Sequence, residues 1–191
     1  MAVKAVDASA LSLDSVFRDR LDDVAREQYL ANQASDLARA RKIRKSLLSD
    51  VRAIGAGAGR IVYPLPVNTY DGGAYERYVV KFARPNDRYD WDGRDQNQRE
   101  TTLWRNNDHT SLIPVVSADP RGYWIVMPRG ESVRREAREI TQWIEGIPEE
   151  LASNLFETDL SPKNVVRLDD QLRLCDYGVP PRGHSSPDSS S

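Results

Sequence analysis

The sequence predicts an α+β fold, and three features predict it. A proline- and glycine-free stretch carries apolar residues at helical spacing among dense charge. Short β-rich runs separated by turn residues follow it, and short helical patterns with two more strand-like runs come after those. With 191 residues and 39% hydrophobic content, the chain suits one compact domain with appendages.

The first pattern covers residues 12–50, where Leu13, Phe17, Leu21, Val24, Leu37, Leu47 and Leu48 recur as one long helix or two shorter ones would place them. Such a helix lays an apolar stripe on the domain and solvates the rest, or serves as an arm for a protein partner. From Ile54 the texture becomes that of an antiparallel sheet. Strands are expected at residues 60–67, 77–83, 112–117 and 123–127, with turns at Asp71-Gly72-Gly73 and Asp119-Pro120-Arg121-Gly122 and one helix at 96–106. After Pro128-Arg129-Gly130, Val133, Ala137, Ile140 and Ile144 predict a helix over 133–145 that Gly146 and Pro148 stop, and a second short helix is expected at 149–155. Strands at 165–168 and 172–175 flank the turn Asp169-Asp170, and the Pro- and Ser-rich tail is expected to be disordered. The resulting division is a helical extension over 1–50, a sheet lobe over 51–130, a helical lobe over 131–179 and a tail over 180–191.

The net charge of −2 comes from 27 basic and 29 acidic residues mixed along the chain, so no broad field recruits nucleic acid or a membrane surface. The one cysteine, Cys175, excludes an intramolecular disulfide and a multi-cysteine metal site. No apolar run has the length of a membrane span or of a secretory core, so the cytoplasm is the expected address. His109 and His184 follow no metal spacing.

Three stretches carry chemistry. In Gly55-Ala56-Gly57-Ala58-Gly59, alternate glycines let backbone N–H groups approach a phosphate closely. A helical pattern precedes it and a β pattern follows, which fits a strand-loop-strand flap over phosphates and not a dinucleotide-binding turn. In Tyr78-Val79-Val80-Lys81-Phe82-Ala83 a lysine interrupts an apolar strand; either it lies on the wet face of an edge strand, or it is buried and needs a carboxylate or phosphate partner, for which Glu100, nineteen residues on, is the candidate. The third is Asp159-Leu160-Ser161-Pro162-Lys163-Asn164, followed by Cys175-Asp176-Tyr177-Gly178.

That third stretch has the spacing of the protein-kinase catalytic loop and metal motif, D-x-x-x-x-N and then D-[FY]-G. Residues 54–178 therefore resemble the protein-kinase-like superfamily, in its order of glycine loop, strand lysine, helix glutamate, hinge, catalytic loop and metal aspartate. Gly93 to Glu100, reading G-x-x-Q-N-x-x-E, also resembles the corresponding helix of small divergent kinase-like proteins of prokaryotes and their viruses. The resemblance implies an antiparallel-sheet N-lobe, a truncated helical C-lobe and an N-terminal helical extension. It implies ATP and Mg2+ as cofactors, with Lys81 on the α- and β-phosphates oriented by Glu100, and Asn164 and Asp176 on the metal. Asp159 is implied as the base for the attacking hydroxyl, and Lys163 as a charge facing the transferred phosphoryl. Met127 would border the adenine, with Arg129 or Gly130 giving the backbone hydrogen bonds that Pro128 cannot donate.

The sequence also departs from that pattern. Glu157 and Thr158 stand where His and Arg usually precede the catalytic Asp, which removes the usual receptor for a phosphorylated activation loop. Tyr177 replaces the commoner Phe, and only residues 179–191 follow Gly178, too few for an activation segment and peptide-docking helices. Serines 185, 186, 189, 190 and 191 of that tail are candidate autophosphorylation sites or simply a solvated end. The leading expectation is an ATP- and Mg-dependent phosphotransferase with a protein or small-molecule hydroxyl as acceptor. The alternatives are a pseudokinase-like module that binds nucleotide or a partner without transfer, and a helix-plus-sheet adaptor without nucleotide.

Overall fold

The computed structural model describes residues 13–49, 51–57, 59–65, 78–86, 91–107, 110–134, 138–155 and 159–178. The turn at 71–73, both histidines, Glu157, Thr158 and the tail serines lie outside them.

The N-terminal pattern resolves into two helices, α1 (Ser15–Gln33) and α2 (Leu37–Leu48). Asp14 caps the first by accepting from the Phe17 N–H at 2.9 Å, and Asp36 caps the second by accepting from the Arg39 N–H at 3.0 Å. Between them Ser35 adopts φ 58°, the left-handed turn with which a helix commonly ends, so neither Gly nor Pro was needed to break the pattern. Six of the seven expected stripe residues pack against the domain. Leu37 faces solvent, 67% exposed, because it is the first residue of α2.

Among the described residues five strands form one antiparallel sheet in the order β1-β2-β3-β5-β4: β1 (Gly55–Ala56), β2 (Arg60–Pro64), β3 (Tyr78–Ala83), β4 (Ser117–Ala118) and β5 (Trp124–Pro128). Every residue of β3 and β5 is buried because both faces are covered. Tyr78, Val80, Phe82, Trp124 and Val126 meet Leu21, Ala25, Leu47 and Leu48 of the N-terminal helices in one core. Val79, Ile125 and Met127 belong to a second core with Leu112, Ile113, Val165, Leu174 and Tyr177. The residues expected to form an extension thus close one side of the sheet, and the Trp124 indole N–H also donates to Asp22 at 2.6 Å.

The helix on the inner face, α3 (Gly93–Asn107), starts three residues earlier than expected. Asp92 accepts from the Arg94 N–H at 2.7 Å while Asp95 accepts from the Asp92 N–H at 2.8 Å, a capping box built from two aspartates. The strand expected at 112–117 is a correction. Leu112 makes a single parallel bridge to Leu174, and only Ser117–Ala118 is a strand, since Pro114 has no N–H to give a ladder.

Beyond β5 lie β6 (Glu131–Ser132), α4 (Arg138–Glu145) and the single turn α5 (Glu149–Ala152). A 3-10 turn (Pro162–Asn164) leads into the hairpin of β7 (Val165–Leu168) and β8 (Gln171–Leu174). The expected helix over 133–145 is shorter because Ser132 is in β6 and Val133 and Arg134 are non-helical. The helix at 149–155 likewise ends at Ala152. Asp169 and Asp170 take φ 49° and 61°, the paired left-handed geometry of a two-residue hairpin turn. β6 pairs with β7, which brings the linker after β5 alongside the strand that follows Asn164.

Candidate functional site

The antiparallel register places Lys81 opposite Val62 and Ile125, and side-chain alternation turns it to the inner face, toward α3. There Nζ donates to Glu100 Oε1 at 2.9 Å and Oε2 at 3.1 Å, and also to the Cys175 carbonyl. Lys81 and Glu100 are both buried. The pair expected from sequence is formed, and it also ties β3 to the main chain just before Asp176.

A second cation shares the carboxylate. Arg60 opens β2 in phase with Val62, so it lies on the same sheet face as Lys81. Its Nη1 donates to Glu100 Oε2 and, at 3.3 Å, to Asn97 Oδ1, while Nη2 pairs with Asp176 Oδ1. Burial would raise the Glu100 carboxyl, but Arg60 and Lys81 together hold it below its ordinary value. The Lys81 ammonium is pushed down by burial, with Arg60 adding to that and Glu100 opposing it.

The G-x-x-Q-N-x-x-E stretch has a steric and polar basis. At Gly93, a Cβ would lie 1.8 Å from the Gly59 carbonyl oxygen and 2.6 Å from the Arg84 nitrogen, so the helix can start against the glycine turn only without a side chain there. Asn97, one turn before Glu100, accepts from Arg60 and donates to the Gly122 carbonyl at 2.9 Å.

The other expected residues fall as follows. Gly55 pairs with Val62 in β1, Gly57 is exposed at the hairpin tip, and Gly59 is buried against Gln96, so the turn after Ala56 lies along the start of α3. Met127 is buried at the end of β5. Arg129 is exposed and Gly130 lies against Val166 of β7. Asn164 Nδ2 donates to the main-chain carbonyls of Asp159 at 3.2 Å and Asp176 at 3.1 Å, which fixes its amide plane between the two loops. Asp176 keeps 43% of its side chain exposed. Lys163 is exposed on the 3-10 turn, whereas Asp159 is fully buried with its charge felt by Arg99. Tyr177 is also fully buried, and its hydroxyl donates to the Ile113 carbonyl at 2.6 Å.

Among the described residues no group of three or more His, Cys, Asp or Glu side chains is arranged to hold a metal. Asn164 is held on the Asp176 main-chain carbonyl and the Asp176 carboxylate pairs with Arg60; the side-chain oxygens of the two, completed by phosphate and water, are the kind of ligand Mg2+ takes. Arg60 was not anticipated, and Asn97 entered only as part of the G-x-x-Q-N-x-x-E stretch, without a role. The available signal for Arg60 was its phase with Val62, two residues along a strand that pairs with the lysine strand.

No protein-family model matches the chain, and no curated protein matches it. Among solved structures it is similar to the PknI kinase domain of Mycobacterium tuberculosis, at 21% identity and a TM-score of 0.44, over 68% of this chain and 59% of that domain. The chain therefore spans about three fifths of the length of that relative. No helix among the described residues is long and apolar enough to cross a membrane.

Proposed function

We propose that this chain binds ATP with Mg2+ between its sheet and the β7–β8 hairpin and transfers the terminal phosphoryl group to a hydroxyl of a protein or small molecule. The observation that carries this reading is the buried Lys81–Glu100 pair at 2.9 Å, linked through the Cys175 carbonyl to the segment bearing Asp176. A chain without anionic ligands has little reason to keep such a costly arrangement. In this reading Lys81 and the turn of Gly55, Gly57 and Gly59 hold the phosphates, Met127 borders the base, and Arg129 and Gly130 offer main-chain hydrogen bonds to it. Asn164 and Asp176 hold Mg2+, which supplies charge neutralisation on the phosphates. Asp159 takes the proton of the acceptor hydroxyl as its oxygen bonds to the terminal phosphorus and the bond to the ADP oxygen breaks, and Lys163 faces the charge on the moving group.

A second reading, a pseudokinase-like binding module, is favoured by one observation: the complete burial of Asp159, which puts the base out of an acceptor's reach in this conformation. The exposed Val16, Leu30 and Leu37 of the N-terminal helices would then offer apolar contacts to a protein partner. The deciding experiment incubates purified protein with γ-labelled ATP and Mg2+, alone and with generic acceptors, beside Asp159→Ala. Label transfer that the variant loses supports the enzyme. Magnesium-dependent ATP binding without transfer supports the module, and the absence of ATP binding removes the enzyme and the nucleotide-binding form of the module.

A further inference from the structure

Four charges form one connected network at the site: the cations Arg60 and Lys81 and the carboxylates Glu100 and Asp176. Glu100 is fully buried and is the shared anion of both cations, whereas Asp176 is the member of the four that reaches solvent. As they stand, the two positive and two negative charges balance. Were Asp176 to become the ligand of a divalent cation, Glu100 alone would serve Arg60 and Lys81, leaving one buried positive charge without a counter-ion. A buried, uncompensated charge is strongly unfavourable. An anion arriving with the metal removes that penalty.

We infer that Arg60 is a displaceable counter-ion of Asp176, which makes the site refuse a divalent cation alone and accept it together with a polyphosphate that Arg60 then contacts. The inference rests on the nucleotide reading of the site and adds to it a coupling between the two ligands. The geometry of Arg60 suits the exchange. Nη1 is anchored on Glu100 and Asn97, so Nη2 can change partner while the guanidinium keeps its place. Its position directly after the glycine turn, on the face of Lys81, sets both cations beside the space given to the phosphates. A guanidinium is suited to this because its fork serves two acceptors at once.

The test uses the full chain and Mn2+ as the cation probe, with free Mn2+ read by electron paramagnetic resonance in the absence of nucleotide. Wild type is expected to bind no stoichiometric Mn2+, Arg60→Met to bind one per chain with an affinity at least about tenfold higher, and Arg60→Met with Asp176→Asn to lose it again. If Arg60→Met does not fold, Arg60→Gln takes its place with the same expected gain, because it too removes the positive charge while keeping a donor for Glu100. Equal Mn2+ binding by wild type and the Arg60 variant, or binding by neither, overturns the inference. So does Mn2+ binding by wild type that Asp176→Asn abolishes. Failure of the nucleotide reading is read separately, on wild type with ATP and Mg2+. That reading expects a rise in Tm of roughly 5–10 °C at saturation and falls if there is none.

Discussion

Nineteen residues separate Lys81 from Glu100 along the chain, and 2.9 Å separates Nζ from Oε1. Because Arg60 ends on the same carboxylate, the two partners of this pair are not equivalent. Glu100→Gln leaves two buried cations facing each other and is expected to cost about 3–5 kcal/mol. Lys81→Met leaves Glu100 with Arg60 and keeps the volume, so its cost is expected to stay under about 2 kcal/mol. Thermal or urea unfolding of the two variants checks the order, and a Lys81→Met variant as unstable as Glu100→Gln would show that Arg60 does not share the carboxylate.

The same carboxylate sets an acid limb. Its folded pKa lies below the ordinary 4.5, so its contribution is fully present above that value and is lost as pH falls through the folded pKa. Glu100→Gln has no such group to protonate. The stability gap between wild type and this variant should therefore stay constant from neutral pH down to about 5 and shrink below 4.5, as measured by denaturant midpoints across that range.

Tyr177 sets an alkaline limb. Burial, and next the Glu100 charge, push its hydroxyl well above 10.0, so the folded state keeps a proton that the unfolded state releases above pH 10. The sign is a loss of stability as pH rises. At neutral pH Tyr177→Phe is expected to cost about 1–2 kcal/mol, since the buried Ile113 carbonyl loses the donor that sits 2.6 Å away. Above pH 10 the gap should narrow by about 1 kcal/mol per pH unit, and a gap that stays constant to pH 11 would mean the hydroxyl is not buried.

A lysine inside an apolar strand called for a partner or for a wet edge, and the buried contact with Glu100 decides between them; Asp159, Asn164 and Asp176 were singled out by the resemblance of their spacing to a kinase catalytic loop and metal motif. Arg60 was hidden. An arginine at the start of a strand looks like a solvated end until the register with Ala83 shows which face it takes. Burial of Asp159 was equally out of reach, since an aspartate in a loop is ordinarily exposed. The division of residues 12–50 into two helices turned on one serine at φ 58°, a conformation that propensity alone does not assign to Ser35. Pro114 did carry the signal against a strand at 112–117, through its missing N–H.

Glycines of the site separate into packing and open positions. Gly93→Ala forces a Cβ into the Gly59 carbonyl and is expected to cost about 3 kcal/mol or more, because backbone lies on both sides of the contact. At Gly57 a Cβ would meet nothing within 4 Å, so Gly57→Ala should leave Tm nearly unchanged. Any loss that Gly57→Ala causes in ATP affinity then reports phosphate approach and not folding. Differential scanning fluorimetry with and without ATP and Mg2+ distinguishes the two, and a large Tm loss at Gly57 with none at Gly93 would reverse the assignment.

The N-terminal helices are expected to be inseparable from the sheet. They cover Tyr78, Val80, Phe82, Trp124 and Val126, and without them that face would be an apolar surface in water. Leu21 and Leu48 are fully buried at this contact, so Leu21→Ala should cost about 2–5 kcal/mol. Leu37→Ala, on the exposed side of α2, should stay within about 0.5 kcal/mol of wild type. A fragment of residues 51–191 should show no cooperative thermal transition by circular dichroism. If that fragment unfolded cooperatively near the wild-type Tm, the helices would be an appendage laid on an already complete domain, and the core they share with β3 and β5 would contribute nothing to its stability.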